Sequence, residues 1–232
     1  MTPPSPFNQG VFNLDDWYKT TAGHLVDHIE KEAILSYLEP RAGMSVLDVG
    51  CGTGNYSLAL AKDGLLVTGI DISTAKLDRA RATAKVQGVE VEFLQGDARQ
   101  LPFRDASFDG VISVSALEFV PNLSLLKELL RFLKPSGKLV VGVVGKNSVW
   151  GHFYAEKARK DPESVFTFTR ARLYSLKELQ NAMPGRKVQT RAVLFIPPDF
   201  DFSREQEALK LEAEAVKAGR TDGGFICAMS VK

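Results

Sequence analysis

Residues 46–55 read VLDVGCGTGN, a buried-strand pattern that runs into three glycines. Val46, Leu47 and Val49 suit a strand covered on both faces. Gly50, Gly52 and Gly54 then allow backbone angles and close approaches that a Cβ would block. Around this stretch, short apolar runs alternate with amphipathic ones. Strands are expected at Ser45–Val49, Leu66–Ile70, Val89–Leu94, Phe108–Val114 and Lys138–Val144, and helices at Thr53–Lys62, Ser73–Gln87 and Ser124–Lys134. That alternation is the sign of an α/β fold, a parallel sheet covered by helices on both faces.

The flanks are less regular. Residues 1–13 read as a Pro-rich mobile arm. Val26, Ile29, Ala33 and Tyr37 predict a helix over Asp15–Leu38, divided at Gly23 and stopped by Pro40 and Gly43. Gly145–Tyr174 is weakly periodic and rich in aromatics. A helix at Ser175–Ala182, a strand at Val188–Ile196 and a final strand at Phe225–Val231 follow. Between the last two strands, Ser203 with Gln206 three residues on reads as a capping box. The helix it opens should run to Gly219 with Leu209, Ala213 and Val216 on one face.

With 232 residues, 44% of them hydrophobic and 25% charged, the chain suits one domain with a sizeable core. A net charge of +1 advertises neither nucleic acid nor a membrane surface. Cys51 and Cys227 form no disulfide framework. The N-terminus lacks the pattern of a signal peptide, and no apolar run is long enough to span a bilayer, so a cytoplasmic protein is expected. Oligomeric state is left open by the sequence.

The glycine loop suits two ligand classes, a nicotinamide or flavin dinucleotide and S-adenosylmethionine (SAM). The dinucleotide fingerprint G-x-G-x-x-G seats a pyrophosphate on a helix N-terminus. Counted from Gly50, its sixth position here is Asn55, and the loop is preceded by Asp48. A carboxylate there repels a pyrophosphate and suits a ligand carrying an ammonium group and a sulfonium. Asp71, about twenty residues on, can accept from both hydroxyls of a ribose, or serve as a charge at a helix N-terminus. Asp97 can accept from the amino group of an adenine, or simply form a turn.

As a set, "VLDVGCGTGN", "GID" at 69–71, "GDARQLPF" at 96–103, "FDGVISVSALEFV" at 108–120 and "LKPSGKLVVGVVG" at 133–145 resemble the class I SAM-dependent methyltransferases. The resemblance is nearest to the small-molecule enzymes of ubiquinone and menaquinone biosynthesis. It implies a Rossmann-like seven-stranded sheet of order 3-2-1-4-5-7-6 with strand seven antiparallel. It also implies roles for single residues. Asp48 and the backbone of Gly50, Cys51 and Gly52 would hold the methionine part, Asp71 and Ile72 the ribose, and Asp97 and Ala98 the adenine. Ser113, Ser115 and Leu117 would lie where the methyl group is delivered. Tyr18 and Gly23, with Trp17 and His24, belong to a segment that in related enzymes folds over the cofactor. Many relatives carry a histidine near the end of "SALEF"; here the neighbourhood offers Glu118.

The resemblance divides the single domain into an N-terminal arm and helical cap (1–39), a SAM-binding core (40–145), an acceptor-side insertion and helix (146–185) and closing elements (186–232). Trp150, His152, Phe153, Tyr154, Phe166 and Phe168 could line an acceptor pocket, with His152 the first choice of general base. From Glu156 to Arg191 there are nine Lys/Arg and four Asp/Glu, which suits an acidic substrate or a solvated face. His24 and His28 share a helix face, but two histidines beside Asp27 fall short of a zinc site, and no metal is expected. The expected activity is in-line methyl transfer to a small molecule. The competing readings are a macromolecular methyltransferase, a non-catalytic SAM-binding regulator and a nicotinamide-dependent oxidoreductase. The nucleic-acid version lacks an Asn/Asp-Pro-Pro-aromatic tetrad, since Ser115-Ala116-Leu117-Glu118 stands in its place.

Overall fold

Seven strands form one sheet in the order β3-β2-β1-β4-β5-β7-β6. They are β1 (Ser45–Val49), β2 (Leu66–Asp71), β3 (Glu92–Gln95), β4 (Phe108–Val114), β5 (Leu133–Val144), β6 (Arg186–Val193) and β7 (Phe225–Val231). The computed structural model describes residues 14–160 and 171–232; the expected arm over 1–13 and the pocket aromatics Phe166 and Phe168 lie outside the described residues. The first five strands pair in parallel. Strand β7 runs antiparallel between β5 and β6, as the resemblance implies.

Period-two alternation along the strands builds two cores. Val46, Ile112, Val140 and Cys227 face α2 (Thr21–Leu38), α3 (Asn55–Lys62), α6 (Val149–Lys160) and α8 (Glu205–Lys217). Leu47, Val111, Val141 and Ile226 face α5 (Leu125–Phe132) and α7 (Leu176–Ala182). A smaller cluster packs α4 (Thr74–Gln87) through Leu77, Ala80 and Ala84 onto Phe93 and Cys51. Asp48 shares its side of β1 with Val46, so the alternation buries a carboxylate beneath α3.

Several elements differ from expectation. The N-terminal helix breaks into α1 (Leu14–Trp17) and α2 three residues before Gly23. Thr20 caps α2, accepting from Gly23 N–H at 3.0 Å and donating to Trp17 O at 2.7 Å. A Cβ on Gly23 would stand 2.0 Å from Trp17 O, so this glycine lets the preceding turn close. Helix α6 is hidden in the sequence because only Trp150 and Gly151 of its twelve residues are buried. Strand β5 begins at Leu133, which pairs with Phe108, and the following irregularity takes up Pro135–Gly137. Strand β3 starts at Glu92 rather than Val89.

The capping box at Ser203 does not form. Asp201 takes both the Ser203 hydroxyl (2.7 Å) and its N–H (3.1 Å), and α8 starts at Glu205 without a side-chain cap. A capping box closes α7 instead, between Ser175 and Glu178. The buried side of α8 is Ala208, Glu212 and Ala215, while Leu209 and Val216 are exposed. Glu212 explains the rotation: its carboxylate accepts from Leu194 N–H (2.8 Å) and Phe195 N–H (2.6 Å), where β6 ends with Leu194 at φ 64°. Among the described residues, no helix is long and apolar enough to cross a membrane.

Glu212→Ala leaves these two amides without their acceptor. A loss of about 1–3 kcal/mol in unfolding free energy is expected, read as a lower urea midpoint. An unchanged midpoint would remove Glu212 as the clamp between α8 and β6.

Candidate active site

Strand β1 pairs with β2 on one side and β4 on the other, and ligands of open α/β sheets bind beyond the strand C-termini at such a switch point. Gly50 follows β1 and Ala116 follows β4. A Cβ on Gly50 would lie 2.3 Å from that of Ala116, so Gly50, at φ 78°, is required for fit as well as for conformation. Ser115 is held at φ 49° at the tip of β4, its N–H bonded to Gly142 O at 2.8 Å. A groove of about 780 Å³ lined by Leu65, Val67 and Val91 opens near the starts of β1 and β2 and contains none of these residues.

Four of the loop's amides are bonded within the protein. Gly50 N–H and Cys51 N–H both bond Ile70 O, at 2.8 and 3.0 Å. Gly52 N–H bonds Asp71 Oδ2 at 2.9 Å, and Gly54 N–H bonds Cys51 O at 2.9 Å. Asp48 lies beneath, 2% exposed, accepting from the Ser57 hydroxyl at 2.6 Å in the first turn of α3 and stabilised also by the Ser57 N–H. The place a pyrophosphate would take at a helix N-terminus is thus held by a carboxylate.

This corrects two expectations. Asp48 shapes the loop from below and does not face the crevice. Cys51 serves as a small buried residue whose amide is already bonded; burial pushes its thiol well above the usual range. Gly54 packs α3 onto α4, since a Cβ there would sit 3.0 Å from Phe93 and 3.2 Å from Ala80. Asn55, where the dinucleotide fingerprint has its last glycine, ties α3 to α2. Its amide donates to Asp27 at 2.6 Å and its carbonyl accepts from Lys31 at 2.7 Å.

Asp71 stands at the rim, with Oδ2 on Gly52 N–H and Oδ1 accepting from Ser73 N–H at 2.8 Å. Each oxygen retains capacity for another donor. Beside it the Ile72 side chain is 45% exposed, an apolar wall open to a ligand. Asp97 is engaged by Arg99, whose Nε lies 2.9 and 3.0 Å from its two oxygens and whose guanidinium holds its pKa below the usual range. It also forms a turn through Gln100 N–H to Asp97 O, with Ala98 partly exposed alongside. Ser113 is fully buried and donates to Val49 O at 3.0 Å, so its side chain clamps β4 to β1 and does not line the crevice. Leu117 is likewise fully buried.

Residues 47–141 match the family described as "Methyltransferase domain". Similar curated proteins include a demethylmenaquinone methyltransferase from Beutenbergia cavernae, 40% identical over 50% of this chain and 47% of its own length. A ubiquinone biosynthesis O-methyltransferase from Coxiella burnetii is 33% identical over 57% of this chain and 58% of its own. A Thermotoga maritima structure described as a "SAM-dependent methyltransferase, possible histamine N-methyltransferase" matches with TM-score 0.71 and 25% identity, covering 94% of this chain and 93% of the other. The match to a methyltransferase domain thus lies over residues 47–141, within a fold shared with that SAM-dependent methyltransferase structure. The chain spans about half the length of the curated relatives it matches.

Over the domain's glycine loop lies the N-terminal segment. Thr53 in the loop donates to Asp15 of α1 at 2.5 Å, and Lys31 of α2 bonds both Asp27 and Asn55 at 2.7 Å. Tyr18, between α1 and α2, is buried in electrostatic reach of Glu30, Asp27 and Tyr154, and burial raises its phenol well above the usual range. His152 lies exposed on α6. Among the described residues, no three His, Cys, Asp or Glu side chains are grouped to hold a metal ion.

The titratable groups that do gather there are Glu30 and Glu118. Glu30 lies deep between helices although solvent reaches part of it. Burial, then Asp27 and Glu118, push its carboxyl up to about 8. Glu118 is 2% exposed and pushed up to about 7 by burial; burial likewise raises Asp48 to about 7. Glu30 was readable in the sequence. It stands four residues from Val26 and four from Ile34, a charge on the buried stripe of α2.

Raised carboxyl pKa values mean that the folded protein binds protons more tightly than the unfolded chain. Stability therefore falls as pH climbs from the ordinary carboxylate range through 7 to 8. Glu30→Gln is expected to raise the urea midpoint at pH 8 and leave it nearly unchanged at pH 4.5, bracketing the ordinary and raised values. Equal effects at both would show that Glu30 is not held protonated.

Proposed function

We propose that this protein transfers the methyl group of SAM to a small-molecule acceptor bound between α2, α6 and the ends of β4 and β5. The observation that carries the reading is the glycine loop: the amides of Gly50, Cys51, Gly52 and Gly54 are bonded within the protein, and Asp48 accepts from the first turn of the helix behind it. That chemistry suits the ammonium of the methionine part and rejects a pyrophosphate. When bound, SAM supplies an electrophilic methyl group on a sulfonium.

In this reading the chain's residues align and desolvate. The carbonyls of Gly50 and Gly52 hold the ammonium, and Asp71 takes the ribose hydroxyls on its remaining lone pairs. Ile72 and Ala98 flank the adenine, and Asp97 accepts its amino group while shared with Arg99. Tyr18 and the turn that Gly23 permits close the site from above and exclude water. Of the described residues, 14–39 act as the cap, 40–145 as the nucleoside cradle, 146–160 and 171–185 as the acceptor wall and 186–232 as the closing elements. The relatives' names point to two acceptor chemistries, a quinone precursor and an amine, and both are small molecules.

Calorimetry is expected to show binding of SAM and S-adenosylhomocysteine but not of NADH. Asp71→Ala should weaken both adenosyl ligands by about ten- to a hundredfold, the loss of hydrogen bonds to a charged acceptor. Unchanged affinity would remove the ribose assignment, and NADH binding in preference would overturn the cofactor.

A further inference from the structure

Two buried oxygens beside the glycine loop have no hydrogen-bond partner, Glu118 Oε2 and the Tyr56 hydroxyl. The other oxygen of Glu118 accepts from Val144 N–H at 2.9 Å, so the backbone fixes this carboxylate with one oxygen left over. A buried acceptor without a donor is costly and calls for an explanation. The Tyr56 hydroxyl lies in electrostatic reach of Glu30, Tyr18, Asp27 and Asp48, and Glu30 is in turn in reach of Glu118, so Glu30 links the two orphans.

That set draws on every surrounding element. Helix α2 contributes Asp27, Glu30 and Lys31, the α1–α2 turn Tyr18, α3 Tyr56, the end of β4 Glu118, α6 Tyr154 and β7 Cys227. Tyr174 faces Glu118 from the far side. Three described cations come near, and all are engaged. Arg191, in electrostatic reach of Cys227, donates to the Ser36 hydroxyl at 2.9 Å. Lys31 is bonded to Asp27 and Asn55 at 2.7 Å. Arg172 stacks its guanidinium 5.3 Å from the centre of the Tyr174 ring. The acids are not grouped tightly enough to chelate a metal.

We propose that this cage of Glu30, Glu118 and Tyr56, walled by the rings of Tyr18 and Tyr154, binds the acceptor by a positively charged amine. The inference rests on the methyl-transfer reading above and names its substrate class. An alkylammonium brings what the cage lacks: N–H donors for the two orphan oxygens and a positive charge for the carboxylates and aromatic faces. A quinol brings no charge and an acidic acceptor is repelled. A sulfonium has no N–H, so the methyl donor's charged centre cannot satisfy the orphans by hydrogen bonding.

The cage also takes a proton. An ammonium nitrogen has no free electron pair. When a carboxylate of the cage accepts one N–H proton, R–NH₃⁺ and COO⁻ become R–NH₂ and COOH, and the nitrogen pair is released. Before the amine arrives, burial keeps Glu30 largely protonated near neutral pH, so cation binding expels that proton and strengthens as pH rises toward 8.

The test is calorimetry on the full chain saturated with S-adenosylhomocysteine, titrated with histamine, phenethylamine and spermidine and with the alcohol matching phenethylamine. At least one amine is expected to bind about tenfold or more above the alcohol, with proton release seen as buffer-dependent heat. Glu30→Gln and, separately, Glu118→Gln, which keeps an acceptor for Val144, should each cut that affinity about tenfold while leaving S-adenosylhomocysteine binding intact. Binding of the alcohol as tightly as the amines, no binding by any of the three amines, or loss of S-adenosylhomocysteine affinity in both variants would overturn the amine site. None of these outcomes touches the methyl-transfer reading, which fails only if wild-type protein does not bind the adenosyl ligands.

Discussion

The site depends on one buried contact, Asp48 of β1 against Ser57 in the first turn of α3. A helix N-terminus needs acceptors for its free N–H groups and favours negative charge. Supplying both from beneath leaves no call for an anion above. The loop follows suit, with Ile70 O and Asp71 absorbing three of its amides. Strand, loop and helix thus keep four loop amides bonded within the protein, where related topologies offer them to a phosphate. The arrangement is set by β-strand alternation, which places residue 48 on the α3 side.

The same logic extends across the crevice. Glu30, Glu118 and Asp48 are acids that burial holds near or above neutrality, and no described cation is free to pair with them. Buried carboxylates of this kind lower stability and are retained where function uses them. The hydrophobic cores on both sheet faces carry that burden, and the cost is confined to the C-terminal rim of the strands. Ser115 adds a further strained position at the same rim.

Much of this was legible in the residues. Apolar runs located the inner strands, because a strand buried on both faces must be largely apolar, while the partly exposed edge strands β3 and β6 were found with shifted bounds, and the glycines after Val49 marked the loop. The sheet order came only through resemblance, since no local pattern states which strands are neighbours. Orientation was the weak point. His152 attracted attention as a residue type, yet α6 buries only two residues and its sequence does not say which way the imidazole points. Glu30 carried the opposite signal, a charge on a buried stripe, and lies in electrostatic reach of Asp27 and Glu118. Ser203 failed as a cap because Asp201, two residues earlier, competes for its hydroxyl. That the loop amides were spent could not be read at all, because Ile70 O arrives from a neighbouring strand.

Helix α6 is pegged at one end. The Trp150 indole donates to Ile196 O at 2.8 Å and fits against Gly224, where a Cβ would stand 2.4 Å from the ring. Beyond Gly151 the helix buries no side chain fully. Substitutions along its outer turns can re-angle it about that anchor while the sheet stays unperturbed. Descendants of this architecture can therefore vary that single hinged element, with the sheet and the glycine loop inherited unchanged.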